Sequence, residues 1–119
     1  MSEPKTLMVN DVKYVRVDSQ EAKPHDGMPY KIVRTHSAGV FAGYVEKREG
    51  KEVTMVDARR VWYWTGAASL SQLAMEGSNN INDCKIAMPV RVLLTEAIEI
   101  LDCTKKAQEI IEGAKEWKA

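Results

Sequence analysis

Apolar and polar residues alternate along much of the middle of the chain, and this period of two is typical of β-strands. Two turn signals interrupt the alternation: Ser37-Ala38-Gly39, and a second one in which Gly50 stands where a tight reversal needs a positive φ. Because short turns join strands that are neighbours in a sheet, we expect antiparallel hairpins. The pattern predicts strands over residues 30–36, 40–47, 52–56 and 57–64.

The N-terminal region carries a shorter stretch of the same pattern. Residues 6–9 and 12–18 alternate around Asn10-Asp11, which predicts a hairpin with a polar turn. Residues 19–29 are polar and contain two prolines and a glycine, so we expect a mobile linker there. The chain is thus divided into an N-terminal hairpin and linker, residues 1–29, and a single α+β domain, residues 30–119.

Beyond residue 64 the pattern changes to that of a helix. Ser69 and Gln72 match a capping box, in which the two side chains satisfy free backbone amides at a helix start. Gly77 is a suitable helix terminator. We therefore expect one short central helix between Ser69 and Gly77.

The C-terminal part predicts further strands and a final helix. Residues 84–103 return to β character, with breaks at Pro89 and near residues 95–96. Thr104 can cap the last helix, and its amphipathic stripe predicts packing on the sheet or against a second copy of the chain. The stripe consists of Ala107, Ile110, Ile111, Ala114 and Trp117. The predicted fold class is α+β: an antiparallel sheet of hairpins with one short central helix and a C-terminal amphipathic helix.

Composition narrows the classes of function. The 119 residues fit one domain, and 17 basic residues balance 17 acidic ones, so no overall field attracts nucleic acid or an anionic membrane. The first residues lack a secretory signal and no apolar run is long enough to span a membrane, which predicts a cytoplasmic protein. Cys84 and Cys103 lack the spacing of a metal site or a disulfide scaffold, so we expect reduced thiols in the core.

The common catalytic motifs are missing from the sequence, including phosphate-binding loops and the metalloprotease and esterase signatures. His25 and His36 are the two histidines, and neither has a nearby cysteine to complete a nucleophile–base pair. His36 and Ser37 are adjacent, so on a strand their side chains point to opposite faces. Carboxylate pairs such as Glu96 with Glu99 are more simply explained as exposed strand residues. We therefore predict no enzymatic activity, no metal and no cofactor.

Arginines interleaved with aromatic residues predict a binding site instead. Arg60 shares a strand face with Trp62 and Trp64, and guanidinium groups beside indole planes suit flat, anionic ligands such as nucleotides. Arginines can clasp phosphate oxygens, and the free amides at the start of the central helix can hold another phosphate. In the competing interpretation the tryptophans belong to the core and the arginines stack or pair beside them. The nominated ligand contacts are Arg34, His36, Arg59, Arg60, Trp62, Trp64 and Ser69.

Five strings of residues carry a resemblance to a known family. They are I-V-R-T-x-S-A-G-V-F-A-G at 32–43, A-R-R-x-W-Y-W-x-G-A at 58–67, S-L-S-Q-L-A at 69–74, C-K at 84–85 and L-T-E-A-I-E-I at 94–100. With them the chain resembles a family of small phage and prophage proteins, and through that family the first Thoeris anti-defence family.

The resemblance implies a function that composition alone does not reach. Proteins of that anti-defence family act as sponges: they sequester a glycocyclic isomer of cyclic ADP-ribose without cleaving it, in pockets at the subunit boundaries of a homo-oligomer. Some also hold cyclic trinucleotides. The expectation for this chain is a phage-encoded anti-defence protein of the host cytosol, a homo-oligomer whose partner is a small nucleotide signal. No individual ligand contact is carried over from that family.

Two other functions fit the same sequence. A phage inhibitor that binds a host protein directly would use the aromatic strand and the terminal helix as its interface, since Trp, Tyr and Arg are common interface anchors. A nucleotide-processing enzyme would require His36 or a carboxylate to be catalytic. Nucleic-acid binding is not expected, because the net charge is zero and no recognised nucleic-acid-binding module is present.

Overall fold

The structure, a computed structural model of the chain, describes residues 6–9, 12–15 and 20–118. Its strands are β1 (Thr6–Val9), β2 (Val12–Val15), β3 (Tyr30–Thr35), β4 (Val40–Glu49), β5 (Glu52–Tyr63), β6 (Lys85–Ile86), β7 (Val90–Leu94) and β8 (Ala97–Asp102). Its helices are α1 (Leu70–Glu76) and α2 (Lys105–Glu112), with a 3₁₀ turn at Ile81–Asp83. The predicted α+β class is confirmed.

Both helices begin at the caps read from the sequence, and α1 ends at its predicted terminator. The Ser69 side chain accepts a hydrogen bond from the amide of Gln72, at 3.1 Å, and Gly77 ends α1 with a φ of 71°. The Thr104 side chain accepts from the amide of Ala107, at 3.1 Å, and so caps α2. These local bonds satisfy amides that have no partner within the helix.

The strands form two separate sheets. β1 and β2 pair with each other as the predicted N-terminal hairpin, whose turn at Asn10-Asp11 lies outside the described residues. The other six strands form an antiparallel sheet in the order β6-β5-β4-β3-β8. β7 also pairs with β5, on the edge that β6 uses, but farther towards the start of the strand.

The six-stranded sheet is strongly curled. β7 ends at Leu94 and β8 begins at Ala97, yet four strand-to-strand steps separate them in the sheet. In a flat sheet those steps would span about 19 Å, whereas three residue steps of extended chain reach only about 11 Å. The short connection therefore brings the two ends of the sheet together. Hydrogen bonds fix it: Ala97 donates to the carbonyl of Lys51, and His36 donates to the carbonyl of Glu96.

Two apolar clusters fill the two sides of the curled sheet. The first joins strands from both ends of the sheet, so it lies inside the curl; it contains Val33, Phe41, Val53, Met55, Ala58 and Leu94. The second lies on the outer face, beneath α1 and α2, and includes Ile32, Ala42, Val61, Leu73, Ile86 and Ile111. The strands β3 to β5 are therefore covered on both sides.

The segment expected to be a mobile linker is tied to the domain. The amide of Ala22 donates to the carbonyl of Cys103, at 3.1 Å, and the Gln108 side chain exchanges two hydrogen bonds with the backbone of Lys23, both at 2.8 Å. Val45 donates to the carbonyl of Pro29. Proline and glycine content indicated the irregular path, but these distant backbone partners could not be read from it.

Residues 52–56 and 57–64, predicted as two strands, are one strand, β5, that ends at Tyr63. A register shift between Met55 and Ala58 accommodates Asp57, whose φ is 51°. Opposite this irregularity β4 comes very close to β5. A Cβ atom added to Gly43 would lie only 2.6 Å from the Cα of Ala58, so only glycine fits there. The bulge lets one long strand bend around the inner cluster without ending.

The C-terminal helix is shorter than its apolar stripe predicted. α2 ends at Glu112 with Gly113 as its cap, so Ala114 and Trp117 lie in the extended segment that follows. Both cysteines are free and buried, as predicted. Neither helix of the described residues has the length and hydropathy needed to span a membrane.

Candidate ligand-binding surface

Arg59 is buried beneath α2 and bound to the backbone. It is 4% exposed, and each of its three side-chain nitrogens donates to a carbonyl. The acceptors are the carbonyls of Ile86, Ala87, Ile111, Glu112 and Ala114. Burial lowers the pKa of this guanidinium from its usual value. Contrary to the sequence prediction, Arg59 therefore binds the end of α2 and the segment beyond it, and its side chain is buried away from any ligand on the surface.

The sheet register separates Arg34 from Arg60. Arg34 pairs with Val40 of β4, which in turn pairs with Val61 of β5, so these three side chains share one face. Arg60 pairs with Phe41 and belongs to the other face. Arg34 and Arg60, both nominated as ligand contacts, therefore do not come together, because β4 lies between their strands and alternation places them on opposite sides.

Three other nominated residues also lie apart from Arg60. Arg34 forms an exposed ion pair with Glu99, with Nε 2.8 Å from Oε1. His36 is exposed at the turn after β3, and Ser37 donates to the Glu96 carboxylate, at 3.1 Å, not to His36. Ser69 caps α1, which packs on the outer face of the sheet. None of these arrangements joins the three residues into one site.

The environment of Arg60 differs from that of Arg59. Its Cζ lies 4.7 Å from the ring centre of Phe41 and 5.4 Å from that of Trp62. Its Nε is buried and has no hydrogen-bond partner in the described chain, and no carboxylate there forms an ion pair with it. A guanidinium on aromatic rings with an unsatisfied donor retains its capacity to bind an anion.

Of the two nominated tryptophans, one is on the surface and the other packs on the core. Trp62 is 58% exposed. Trp64 packs against the outer-face cluster, because β5 ends at Tyr63 and the alternation that would place it beside Trp62 ends there too. Of the three residues predicted to share a strand face, only Arg60 and Trp62 do so.

Two residues that sequence reasoning did not nominate complete this region. The ring centres of Trp62 and Trp117 are 6.2 Å apart at an angle of 61°, and Nζ of Lys85 lies 5.3 Å from the Trp117 ring centre. Trp117 is 44% exposed, and its amide donates to the carbonyl of Ile86, at 2.9 Å. We call Arg60, Trp62, Lys85 and Trp117 the indole surface. Only tertiary structure brings these residues together, so no local signal in the sequence could have joined them.

The indole surface is open, not enclosed. Three clefts elsewhere on the described chain have volumes of about 210, 140 and 100 Å³, and none is lined by a residue of this surface. Small-molecule sites usually have volumes of about 300–1,000 Å³. A ligand held here would therefore need a second wall to exclude water.

The described residues contain no group of three or more histidine, cysteine or acidic side chains that could hold a metal ion. The carboxylates considered earlier as pairs are engaged elsewhere. Glu99 forms an ion pair with Arg34, and Glu96 accepts a hydrogen bond from Ser37, at 3.1 Å.

Fold and site together define a small α+β protein with a curled antiparallel sheet and an exposed surface of cations and indoles. Residues 28–111 match the family described as a domain of unknown function, DUF6948, and because the match covers more than half of the chain, the protein belongs to that family. The match includes Arg60, Trp62 and Lys85 but ends before Trp117. No curated protein and no solved structure is significantly similar to the chain.

Proposed function

We propose that this protein binds a nucleotide without cleaving it, and that Arg60 and Trp62 make the principal contacts. The observation that carries the proposal is the position of the Arg60 guanidinium, which lies on Phe41 and Trp62 with a buried Nε that has no partner in the described residues. A phosphate would accept hydrogen bonds from the terminal guanidinium nitrogens of the partly exposed Arg60 side chain, and the exposed indole would receive the base.

The contacts of one indole surface contribute only part of the free energy that tight binding of a nucleotide requires. Stacking of a base on an aromatic side chain contributes about 1–3 kcal/mol, and a hydrogen bond to a charged group contributes about 1.5–3 kcal/mol. Nanomolar binding requires about −12 kcal/mol, which is more than one open surface of this kind supplies. A second copy of the chain that covers the indole surface would exclude water and add contacts, which supports a homo-oligomer.

The resemblance described above supports the finer form of the proposal. On that basis the protein is a phage anti-defence sponge, located in the host cytosol, for an isomer of cyclic ADP-ribose or for cyclic oligonucleotides. A sponge acts by stoichiometric capture, and the chemistry of the indole surface is that of a binding site: cations and ring faces, with no hydroxyl, thiol or carboxylate among its four residues.

The test is calorimetric titration of cyclic ADP-ribose isomers into the native protein and into Trp62→Ala. We expect affinity to fall at least tenfold in the variant, because one stacking contact is lost. Ile98→Ala is the matched control: Ile98 is 49% exposed on β8, outside the indole surface, and its removal is expected to leave affinity unchanged.

A second measurement separates sequestration from catalysis. Ligand released by heating is expected to be chemically intact and equal in amount to the bound sites. Linear ADP-ribose recovered in excess of protein would show turnover and would contradict the proposal.

A second candidate function is direct inhibition of a host protein, and the exposed apolar residues near the indole surface favour it. Trp62, Tyr63, Met88 and Trp117 are all exposed, and aromatic and methionine side chains are enriched at interfaces. Pull-down from host lysate distinguishes the two functions. A stable partner lost in Trp62→Ala, with no thermal shift from ADP-ribose isomers, would favour inhibition of a protein.

A further inference from the structure

The indole surface carries two cations, and neither is neutralised. Arg60 lies against Trp62, and Lys85 lies against Trp117. Within the described residues no carboxylate forms an ion pair with either side chain. Since the chain as a whole has no net charge, two unpaired cations beside exposed rings are a local excess of positive charge.

The two cations lie at opposite ends of a row of aromatic contacts. Arg60 contacts Trp62, Trp62 contacts Trp117 edge to face, and Trp117 contacts Lys85. A single phosphate bound by Arg60 would leave Lys85 without an anion. A ligand that satisfies both cations must therefore carry at least two anionic groups.

We infer that the ligand of this surface carries at least two phosphate groups, one bound by Arg60 and one by Lys85, with its base against Trp62 and Trp117. The inference rests on the proposed nucleotide-binding function and adds the phosphate count and two further binding residues. Lys85 suits the second position because its ammonium is a compact charge on a flexible stem, whereas Arg60 is fixed by the rings it stacks on.

Trp117 is held in position by the fold. The Trp117 amide donates to Ile86, next to Lys85 in β6, and Nη1 of Arg59 donates to the carbonyl of Ala114, at 2.8 Å. The C-terminal segment is thus anchored at Ala114 and at the backbone of Trp117 itself. This fixed backbone holds the Trp117 ring beside Trp62, although Trp117 lies beyond the part of the chain that matches the family.

The experiment compares AMP with ADP, which differ by one phosphate. Both are titrated by calorimetry into the native protein, Lys85→Gln and the control Lys106→Gln, an exposed lysine of α2. We expect ADP to bind the native protein at least tenfold more tightly than AMP, Lys85→Gln to remove that difference, and Lys106→Gln to keep it. Cyclic ADP-ribose, which has two phosphates, is expected to lose at least tenfold in Lys85→Gln and at least fivefold in Trp117→Ala.

The outcomes separate this inference from the function on which it rests. If Trp62→Ala weakens binding but Lys85→Gln affects AMP, ADP and cyclic ADP-ribose equally or not at all, the second phosphate site is wrong while nucleotide binding stands. If the native protein binds none of the three, both proposals fail. Unchanged circular dichroism and unfolding midpoints of the variants confirm that any loss comes from the surface and not from the fold.

Discussion

Two adjacent arginines of β5 have opposite roles because strand alternation places them on opposite faces of the sheet. Arg59 lies beneath α2 and is fully engaged by carbonyls, whereas Arg60 stacks on rings and keeps a free donor. The residue type is the same in both cases. Their surroundings differ. The Arg59 guanidinium contacts carbonyls at the end of α2, and the Arg60 guanidinium contacts the ring of Phe41 in the inner cluster.

We predict that Arg59→Met lowers the free energy of unfolding by at least about 3 kcal/mol. The substitution removes the guanidinium hydrogen bonds to the carbonyls of Ala87, Ile111 and Ala114, all at 2.8 Å, and each hydrogen bond to a charged group contributes about 1.5–3 kcal/mol. Urea denaturation measures the change. Arg48→Met, at an exposed position on β4, is the control and should change stability by less than about 0.5 kcal/mol. Equal stability of the two variants would contradict the structural role of Arg59.

At the scale of elements, polar side chains join α2 to the sheet. The Tyr44 hydroxyl donates to the Glu112 carboxylate and also accepts from Nε2 of Gln108, at 3.2 Å. Burial and the bond to Glu112 raise the pKa of Tyr44 to about 12. The helix is therefore attached by a phenol that must stay protonated.

This attachment predicts alkaline instability. The folded pKa of Tyr44 is above the usual value of about 10, so its contribution to stability is complete below about pH 10 and is lost as pH rises through about 12. Burial also raises the pKa of Cys103 to about 12 and raises that of Tyr30 further. Ionisation of each of these three groups at high pH therefore lowers the stability of the fold.

Urea midpoints measured between pH 8 and pH 12 are the test. The native protein should lose stability steadily above pH 10. Tyr44→Phe should be less stable by about 1 kcal/mol at pH 8 and should lose less between pH 10 and pH 12, because it has no phenol to ionise at that position. Parallel curves for the two proteins would contradict the assignment.

At the scale of the whole molecule, the larger sheet is curled and the N-terminal hairpin forms a separate two-stranded sheet. β1 and β2 pair only with each other among the described strands, whereas residues 20–29 are bound to β4, to α2 and to the end of β8. Residues 20–29, which composition assigned to the linker, therefore belong to the folded unit.

Two truncations test this assignment. Removal of residues 1–19 should change the free energy of unfolding by less than about 0.5 kcal/mol, because no strand of the larger sheet loses a partner. Removal of residues 1–29 should cost at least about 2 kcal/mol, because the buried Gln108 amide loses both bonds to Lys23. Guanidinium denaturation followed by tryptophan fluorescence measures both. Similar losses in the two truncations would show that the hairpin belongs to the folded unit.

Sequence by itself determined the local features of this protein. The caps at Ser69 and Thr104, the terminator Gly77 and the breaks at Pro89 and residues 95–96 all follow from bonds and dihedral angles within a few residues, which sequence specifies directly. Alternation likewise established that β3 to β5 have two faces to cover. These features were sufficient for the fold class.

Tertiary structure alone decided which of those residues form a surface. Alternation shows which residues share a face with Arg34 and which share a face with Arg60 within each strand. Only the register through β4 shows that these two faces lie on opposite sides of the sheet. The meeting of Trp62 with Trp117 depends on where α2 ends and on Arg59 holding the segment beyond it. Pairings between residues far apart in the chain depend on the packing energy of the entire domain, and that energy leaves no pattern within any single segment.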